Sequence, residues 1–391
     1  MEYTAMSPSV SYNRKESTSF IRIPFHHYDM AILLPVIFLV GIGVVMVYSA
    51  SSAIALKKLG DGCYFLKKQA VFSIAGIGLL VFFRHVSLKW LESLTYHFLF
   101  AAFLMLIAIY FPWFGIKAGG ATRWLSIGGI SFQPVELVRC AIIFYLAYSI
   151  SRKQDDIHIF TAGFLPHALV TGMFALLILF QPDFGSVVII VILTSIMMFV
   201  GGVPFKQLFV VLSMFTPVIY LFMISRQYRM ERLLSYWDPW QYATDSGYQI
   251  VHSLMAFGSG GLFGVGIAQG KQKLFYLPEP HTDFIFSVIG EELGLVGVGG
   301  ILVLFGLILY KGIRIAMETQ DLFASLLALG ITVSFGLQVC INIGVTLALL
   351  PTKGLTLPFL SYGGTSLLVN MACIGILLNI GALRHEAKKV S

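Results

Sequence analysis

Charge is what this chain of 391 residues has least of. Asp, Glu, Lys and Arg make up 12% of it, about half of what a soluble domain carries. That scarcity excludes an ordinary water-facing surface over most of the molecule. Cysteine is scarce as well: Cys63, Cys140, Cys340 and Cys373 are the full set. Three of them sit inside apolar runs and none forms a CxxC pair, which argues against a disulfide framework or a cysteine metal site. They read as small hydrophobes. A basic face is also missing. Lys and Arg outnumber Asp and Glu by 26 to 19, for a net charge of +7, but they are scattered among apolar segments, so a nucleic-acid partner is not expected. The one short repetition is Phe-Gln-Pro at 132–134 and 180–182, followed in each case by an acid, Glu136 and Asp183.

What is present is hydrophobicity: 57% of the residues, with a mean hydropathy of +0.85. A spanning helix needs about 20 apolar residues. Ten runs approach or reach that length: Met30–Ala50, Phe65–Phe83, Tyr96–Trp113, Pro134–Ile150, Ala162–Phe180, Ser186–Gly201, Gln207–Ser225, Phe284–Tyr310, Leu322–Leu350 and Gly364–Leu383. Because lipid cannot hydrogen-bond open backbone, each run is expected to be a helix. The expected fold is all-α, a polytopic membrane protein with ten transmembrane helices. Residues 1–29 would be an N-terminal tail, 30–383 the transmembrane domain, and 384–391 a C-terminal tail. The polar N-terminus is no typical signal peptide. Ser49–Ala53 resembles a cleavage site, yet the run before it starts late, so an uncleaved first helix is expected. An even number of spans puts both tails on one side. Arg14, Lys15, Arg22, Arg384, Lys388 and Lys389 make that side cytoplasmic by the positive-inside rule, with Arg84, Lys89, Arg152, Lys153, Lys206, Lys311 and Arg314 in its loops. Lys57, Lys58, Lys67 and Lys68 then fall outside, against the rule.

One connection is long, Arg226 to Asp283, on the outer face. It is rich in aromatics (Tyr236, Trp237, Trp240, Tyr242, Tyr248), which argues for order and function rather than disorder. It ends in LPEPHTDFIFSVIGEELG, starting at Leu277, where Glu279, His281 and Asp283 cluster before a helix. Asp283 there reads equally well as a helix cap or as a base, since a partly desolvated carboxylate has a raised pKa suited to proton abstraction. One His with two acids is a weak metal signal. Glu291 and Glu292, about two turns further on, are costly in a span and so are functional candidates. The commoner reading is that they fix packing in a polar interior.

Glu136 and Arg139 share a helix face. They are either an intrahelical ion pair or the wall of a polar cavity. Asp183 follows Gln181-Pro182 and would ordinarily be a turn residue. Arg123, in Gly119-Gly120-Ala121-Thr122-Arg123-Trp124, suits phosphate oxygens, whereas Trp124 is expected at any bilayer surface. In LPTKGLTLPFLSYGGTS, from Leu350, the donors Lys353, Ser361 and Tyr362 accompany Pro358 and Gly363-Gly364. A structural kink and ligand contact weigh equally there.

Taken together these motifs resemble the SEDS family (shape, elongation, division and sporulation) over nearly the whole chain, from Tyr28 to about Leu383. The resemblance is carried by GGATRWL, FQPVELV, QPDFGS, YWDPW, LPEPHTDFIFSVIGEELG and LPTKGLTLPFLSYGGTS. The division-associated FtsW branch is the nearest and the elongation-associated RodA branch the alternative. One motif departs: Val135 stands where Ser is usual, and Arg139 where Lys is common. The resemblance implies a ten-span protein of the cytoplasmic (inner) membrane, at the division septum, that polymerises lipid II, the lipid-linked disaccharide-pentapeptide, into glycan strands. It implies Asp283 as the essential aspartate, with Arg123, Glu136, Asp183, Lys353 and Ser361 lining the cavity or steadying the loops. Glu279, His281 and Arg139 join these as substrate-binding candidates. An inverting transfer with Asp283 as base needs positive charge for the departing pyrophosphate: Arg123, Arg139 and Lys353, with or without a divalent cation such as Mg or Mn. The implied partner is a class B penicillin-binding transpeptidase, along with other divisome proteins. A lipid II flippase and a pure scaffold are the competing functions.

Overall fold

The computed structural model describes residues 28–390, apart from 119–120, 128–129, 211–212, 214–226, 246 and 275. Among these residues, twelve α-helices carry the architecture. The first is α1 (Met30–Leu59), opened by Asp29, whose carboxylate accepts from the Ala31 amide at 3.0 Å, and closed by Gly60 at φ 74°. α2 (Tyr64–His85), the short α3 (Leu88–Ser93) and α4 (Thr95–Ala108) follow. Pro134 sits in the first turn of α5 (Pro134–Arg152), where its missing N–H costs nothing. A π-helical turn (Phe160–Phe164) leads into α6 (Leu165–Phe180). Asp183 opens α7 (Phe184–Val200). Next come α8 (Gln227–Trp237), α9 (Tyr248–Gly260), α10 (Ile285–Glu318), α11 (Leu322–Thr346) and α12 (Gly364–Val390).

Among the described residues, seven helical segments are long and apolar enough to cross a membrane: α1, α2, α5, Phe160–Phe180, α10, α11 and the Gly364–Leu383 part of α12. Two shorter apolar helices, α4 and α7, accompany them. Most of the expected span Gln207–Ser225 lies outside the described residues, as does nearly all of the expected N-terminal tail. α12 runs past Leu383 to Val390, so the expected C-terminal tail begins as helix. α5 is buried along most of its length, while α1, α2 and α10 expose large apolar side chains such as Phe38, Ile74 and Val303. A helix apolar on its outer face is what a lipid surround requires. The chain is a multi-pass membrane protein.

Two features depart from an all-helical bundle of simple loops. The first is a three-stranded antiparallel sheet between α4 and α5: β1 (Gly115–Ala118), β2 (Ala121–Ile127) and β3 (Ile130–Phe132), in the order β1-β2-β3. The connection between the expected spans Tyr96–Trp113 and Pro134–Ile150 therefore carries β-structure. The second is in the long connection. Rather than staying above the bundle, its helix α9 packs on α10, with the Ser253 and Ser287 hydroxyls 2.6 Å apart and Ser253 donating to the Thr346 carbonyl. The chain after α9 then inserts into a break in α10 at Gly294 (φ 65°, ψ −168°). Val265 and Gly266 donate to the Glu291 and Glu292 carbonyls, and Leu295 and Val296 donate to the Gly261 and Leu262 carbonyls, all at 3.0–3.1 Å. Breaking a helix in lipid orphans backbone groups, and this insertion satisfies them. Gly264 makes the approach possible, because a Cβ there would lie 2.2 Å from the Glu292 carbonyl. At 1.5 Å per residue, Gly294 is about 14 Å along the helix from Ile285, so the insertion is deep.

Candidate functional site

Of the expected site residues, Arg123, Asp183, Glu279, His281, Asp283, Lys353 and Ser361 are linked by contacts and mutual fields, whereas Glu136 and Arg139 line a small cavity between helices; local chain geometry decides how each is presented. Among the described residues, three aspartates cap helices: Asp29 on α1, Asp183 on α7 and Asp321 on α11, each accepting from a first-turn amide. Asp283 does not. The N-cap of α10 is Phe284, with no side-chain cap, which places Asp283 one residue too early to reach the first-turn amides. The cap reading of Asp283 is therefore corrected, and its carboxylate is left for other work.

That carboxylate faces Gly354. A Cβ on Gly354 would come within 3.1 Å of Asp283 Oδ2. The backbone around it is tied down from the facing segment. The Asn342 amide, buried in α11, donates to the Asp283 carbonyl at 3.0 Å and to the Leu355 carbonyl at 2.6 Å. Ser361 Oγ donates to the Thr282 carbonyl at 2.6 Å and accepts from the Leu357 amide at 2.8 Å. The Tyr362 amide donates to the His281 carbonyl at 2.8 Å. Ser361 is thus a strut between two loops. Glu279 (φ 48°) and Phe359 (φ 65°) hold the left-handed conformation on either side, strain of the kind that surrounding contacts must enforce.

Arg123 reaches the same region from the sheet. Ile116 pairs with Trp124 and Lys117 with Thr122, so Arg123 is the extra residue of a β-bulge. Bulges re-aim side chains. Here the guanidinium donates to the Gln181 and Pro182 carbonyls, at 3.4 and 2.5 Å, fixing the α6–α7 turn. At that turn Asp183 caps α7 and accepts from Ser186 Oγ at 2.8 Å. Half-buried Lys353 lies with its Nζ 5.4 Å from the Phe184 ring centroid.

The electrostatics follow from this packing. Burial pushes the Asp283 carboxyl up to about 7, neighbouring Glu279 adds to the rise, and the Arg123 charge opposes it. Burial lowers the Lys353 ammonium, against the pull of Asp183. His281 is lowered by burial, with Glu279 3.7 Å away pulling it back up.

Glu136 and Arg139 form an ion pair within α5, both about 95% buried. It faces a small cavity between α5, α11 and α12 that Ser334, Asn370 and Cys373 also line. Glu291 and Glu292 hold the inserted connection. Glu291 accepts from the Lys271 and Gln272 amides, and Glu292 accepts from Ser49 Oγ, the Ala268 amide and Lys273 Nζ. The packing reading of these two acids is the one this geometry gives. Sequence reasoning passed over Asn342 and Lys273, although an Asn within an apolar run was signal enough.

The sequence profile of the FtsW/RodA/SpoVE cell cycle protein family matches residues 30–386. The chain belongs to that family. A probable peptidoglycan glycosyltransferase FtsW of Geobacter sulfurreducens is 43% identical over 353 residues, covering 90% of this chain and 95% of that one. Another, of Trichlorobacter lovleyi, is 45% identical over 367 residues, 93% and 96% of the two chains. Stage V sporulation protein E of Bacillus subtilis is 40% identical over 358 residues, 90% and 96%. Among solved structures, a chain of a peptidoglycan synthase complex coordinating polymerization and crosslinking aligns with a TM-score of 0.76 and 28% identity, covering 93% of this chain and all of that one. The rod shape determining protein RodA of Thermus thermophilus aligns at 0.68 and 28%, covering 92% and 99%. As an FtsW/RodA/SpoVE protein, the chain shares its architecture with these structures over 92–93% of its length.

Proposed function

We propose that this FtsW/RodA/SpoVE protein is a peptidoglycan glycosyltransferase that polymerises lipid II into glycan strands during cell division. The relatives' names support the activity, and one observation carries the assignment of the base: an uncapped, desolvated Asp283 whose pKa stands at about 7. A general base works best when its pKa lies near the working pH. Asp283 takes the proton of the acceptor sugar hydroxyl. That oxygen bonds to the anomeric carbon of the donor as the bond to pyrophosphate breaks, so an α-linkage becomes a β-linkage. One base and no covalent intermediate suffice for such an inversion. Arg123 and Lys353 supply charge to the leaving pyrophosphate, while the Arg139 charge is already matched by Glu136. Among the described residues no three His, Cys, Asp or Glu side chains group as metal ligands. A divalent cation would therefore depend on Asp283, Glu279 and substrate phosphates together, and no step is routed through one. Both termini are cytoplasmic, the membrane is the inner one at the septum, and a class B penicillin-binding transpeptidase and other divisome proteins are the partners in this reading.

The test is lipid II polymerisation by the purified protein, parent against Asp283→Asn. A base acts only when deprotonated. Polymerisation should therefore rise with pH through about 7 and level off above it. Glu279→Gln removes a charge that raises Asp283, so its acidic limb should move to lower pH; an unmoved limb in a pH–rate profile would count against the pairing. Gly354→Ala places a methyl about 3 Å from Oδ2 and should cut kcat by roughly ten- to a hundredfold through misplacement alone. Its melting temperature should stay near the parent's.

A further inference from the structure

The lysines that break the charge rule have no role in the reading above. Residues 57–68 carry Lys57, Lys58, Lys67 and Lys68 against a single acid, Asp61. They lie on the α1–α2 hairpin, which the proposed orientation places outside, where positive charge is not favoured. Lys67 is held by Asp61 at 2.8 Å. Lys68 is exposed, with its Nζ 2.6 Å from the Tyr64 hydroxyl. Lys58 is exposed in the last turn of α1.

The hairpin sits beside the candidate base. Phe65 wedges between His281 and Tyr362, with ring centroids 4.5 and 4.9 Å away. That contact sets the first turn of α2, and Lys68 with it, against the segment that ends in Asp283. The field agrees with this placement: burial lowers His281 and Lys58 adds to that, while burial raises the Tyr362 hydroxyl and Lys68 opposes the rise.

The reaction as proposed brings two pyrophosphates to one base. The donor's departs and gains charge in the transition state. The acceptor's is only held, and must later be let go. Arg123 is a planar fork locked to a turn, suited to the first task, whereas exposed lysines on flexible stems suit the second. We propose that Lys58 and Lys68, set beside residues 281–283 by Phe65, bind the pyrophosphate of the acceptor lipid. Arg123 and Lys353, on the α6–α7 side, face the departing one. This inference rests on the lipid II polymerase reading.

The test compares the parent, Lys58→Gln/Lys68→Gln, Lys58→Arg/Lys68→Arg and a charge control on the opposite end, Lys89→Gln/Lys206→Gln, in phosphatidylcholine vesicles without and with phosphatidylglycerol. Removing two charges near the surface should raise the KM for lipid II roughly tenfold or more, with a much smaller change in kcat. The arginine pair should restore it, and the control should behave as the parent. An unchanged KM overturns the proposal. So does a defect confined to vesicles containing phosphatidylglycerol, which would mean that the lysines read the bulk lipid surface. A second arm does not depend on turnover: farnesyl pyrophosphate binding by calorimetry should give two equivalents per parent chain and one for the glutamine pair. Equal stoichiometry in both overturns the site. A parent that binds two equivalents but does not polymerise lipid II overturns the polymerase reading and leaves the anion site standing.

Discussion

Asp283→Asn should lower lipid II polymerisation by roughly a hundred- to ten-thousandfold, the loss expected when a general base is removed, while the protein becomes no less stable. The two halves of this expectation come from the same geometry. Asp283 caps no helix, and its carbonyl, not its carboxylate, is the group that Asn342 holds. An asparagine is nearly isosteric there and keeps the backbone contacts. The stability sign follows from the shift. The carboxyl titrates near 3.8 when unperturbed and near 7 in the fold. The folded state therefore holds the proton more tightly, and the protein loses stability as pH rises from about 4 to about 7. A neutral side chain escapes that loss. The melting temperature of Asp283→Asn should match the parent's near pH 4 and exceed it at pH 8. A scaffold would show the thermal change without any effect on polymer synthesis, because it has no reaction to lose. Product formation by the variant at the parent rate, measured on gels of labelled lipid II, would falsify the base assignment. A folding defect cannot imitate the expected pattern, since the variant that loses activity is the more stable one above pH 7.

The spans were legible because lipid demands continuous apolar sequence: α2, α5 and α11 start within a residue of their hydrophobic runs. The inserted connection was not. Its partners are separated by about 30 residues, and in sequence Glu291, Glu292 and Gly294 look like isolated defects in a span. Only their pairing with the 261–273 stretch turns them into a docking site. The sheet between α4 and α5 was hidden for a related reason, since β1 and β3 are only four and three residues long and the strands are separated in sequence by the pairs Gly119-Gly120 and Gly128-Gly129. Within the site, residue identities were readable and geometry was not. Whether Asp283 caps α10 turns on a shift of one residue in the helix start, finer than apolar periodicity resolves. The role of Ser361 as a strut, and of Arg123 as a bulged residue clamping a turn, depended on contacts spanning 79 and 58 positions of sequence.

Lys273→Met should destabilise the protein by about 3–5 kcal/mol, the cost of leaving a buried charge without its partner, and polymerisation should fall with it. Lys273 and Glu292 are buried together, 5% and 1% exposed, with Nζ 2.5 Å from Oε1. Ser49 of α1 bridges both at 2.7–2.8 Å. The triad ties the first helix, the inserted connection and the broken helix α10 into one unit, and α10 begins two residues after Asp283. Loosening it frees the chain that positions the candidate base. In Lys273→Met, Glu292 keeps its bonds from Ser49 and the Ala268 amide but carries a charge with no counter-ion. Adding Glu292→Gln removes that charge while an amide oxygen can still accept from Ala268. The double variant should therefore recover much of the lost stability, so the two substitutions are strongly non-additive. Denaturant unfolding in detergent reads the cycle. Additive losses would mean that the pair is not energetically coupled. Recovery of stability without recovery of polymerisation would assign Lys273 a part in the reaction beyond holding the loop.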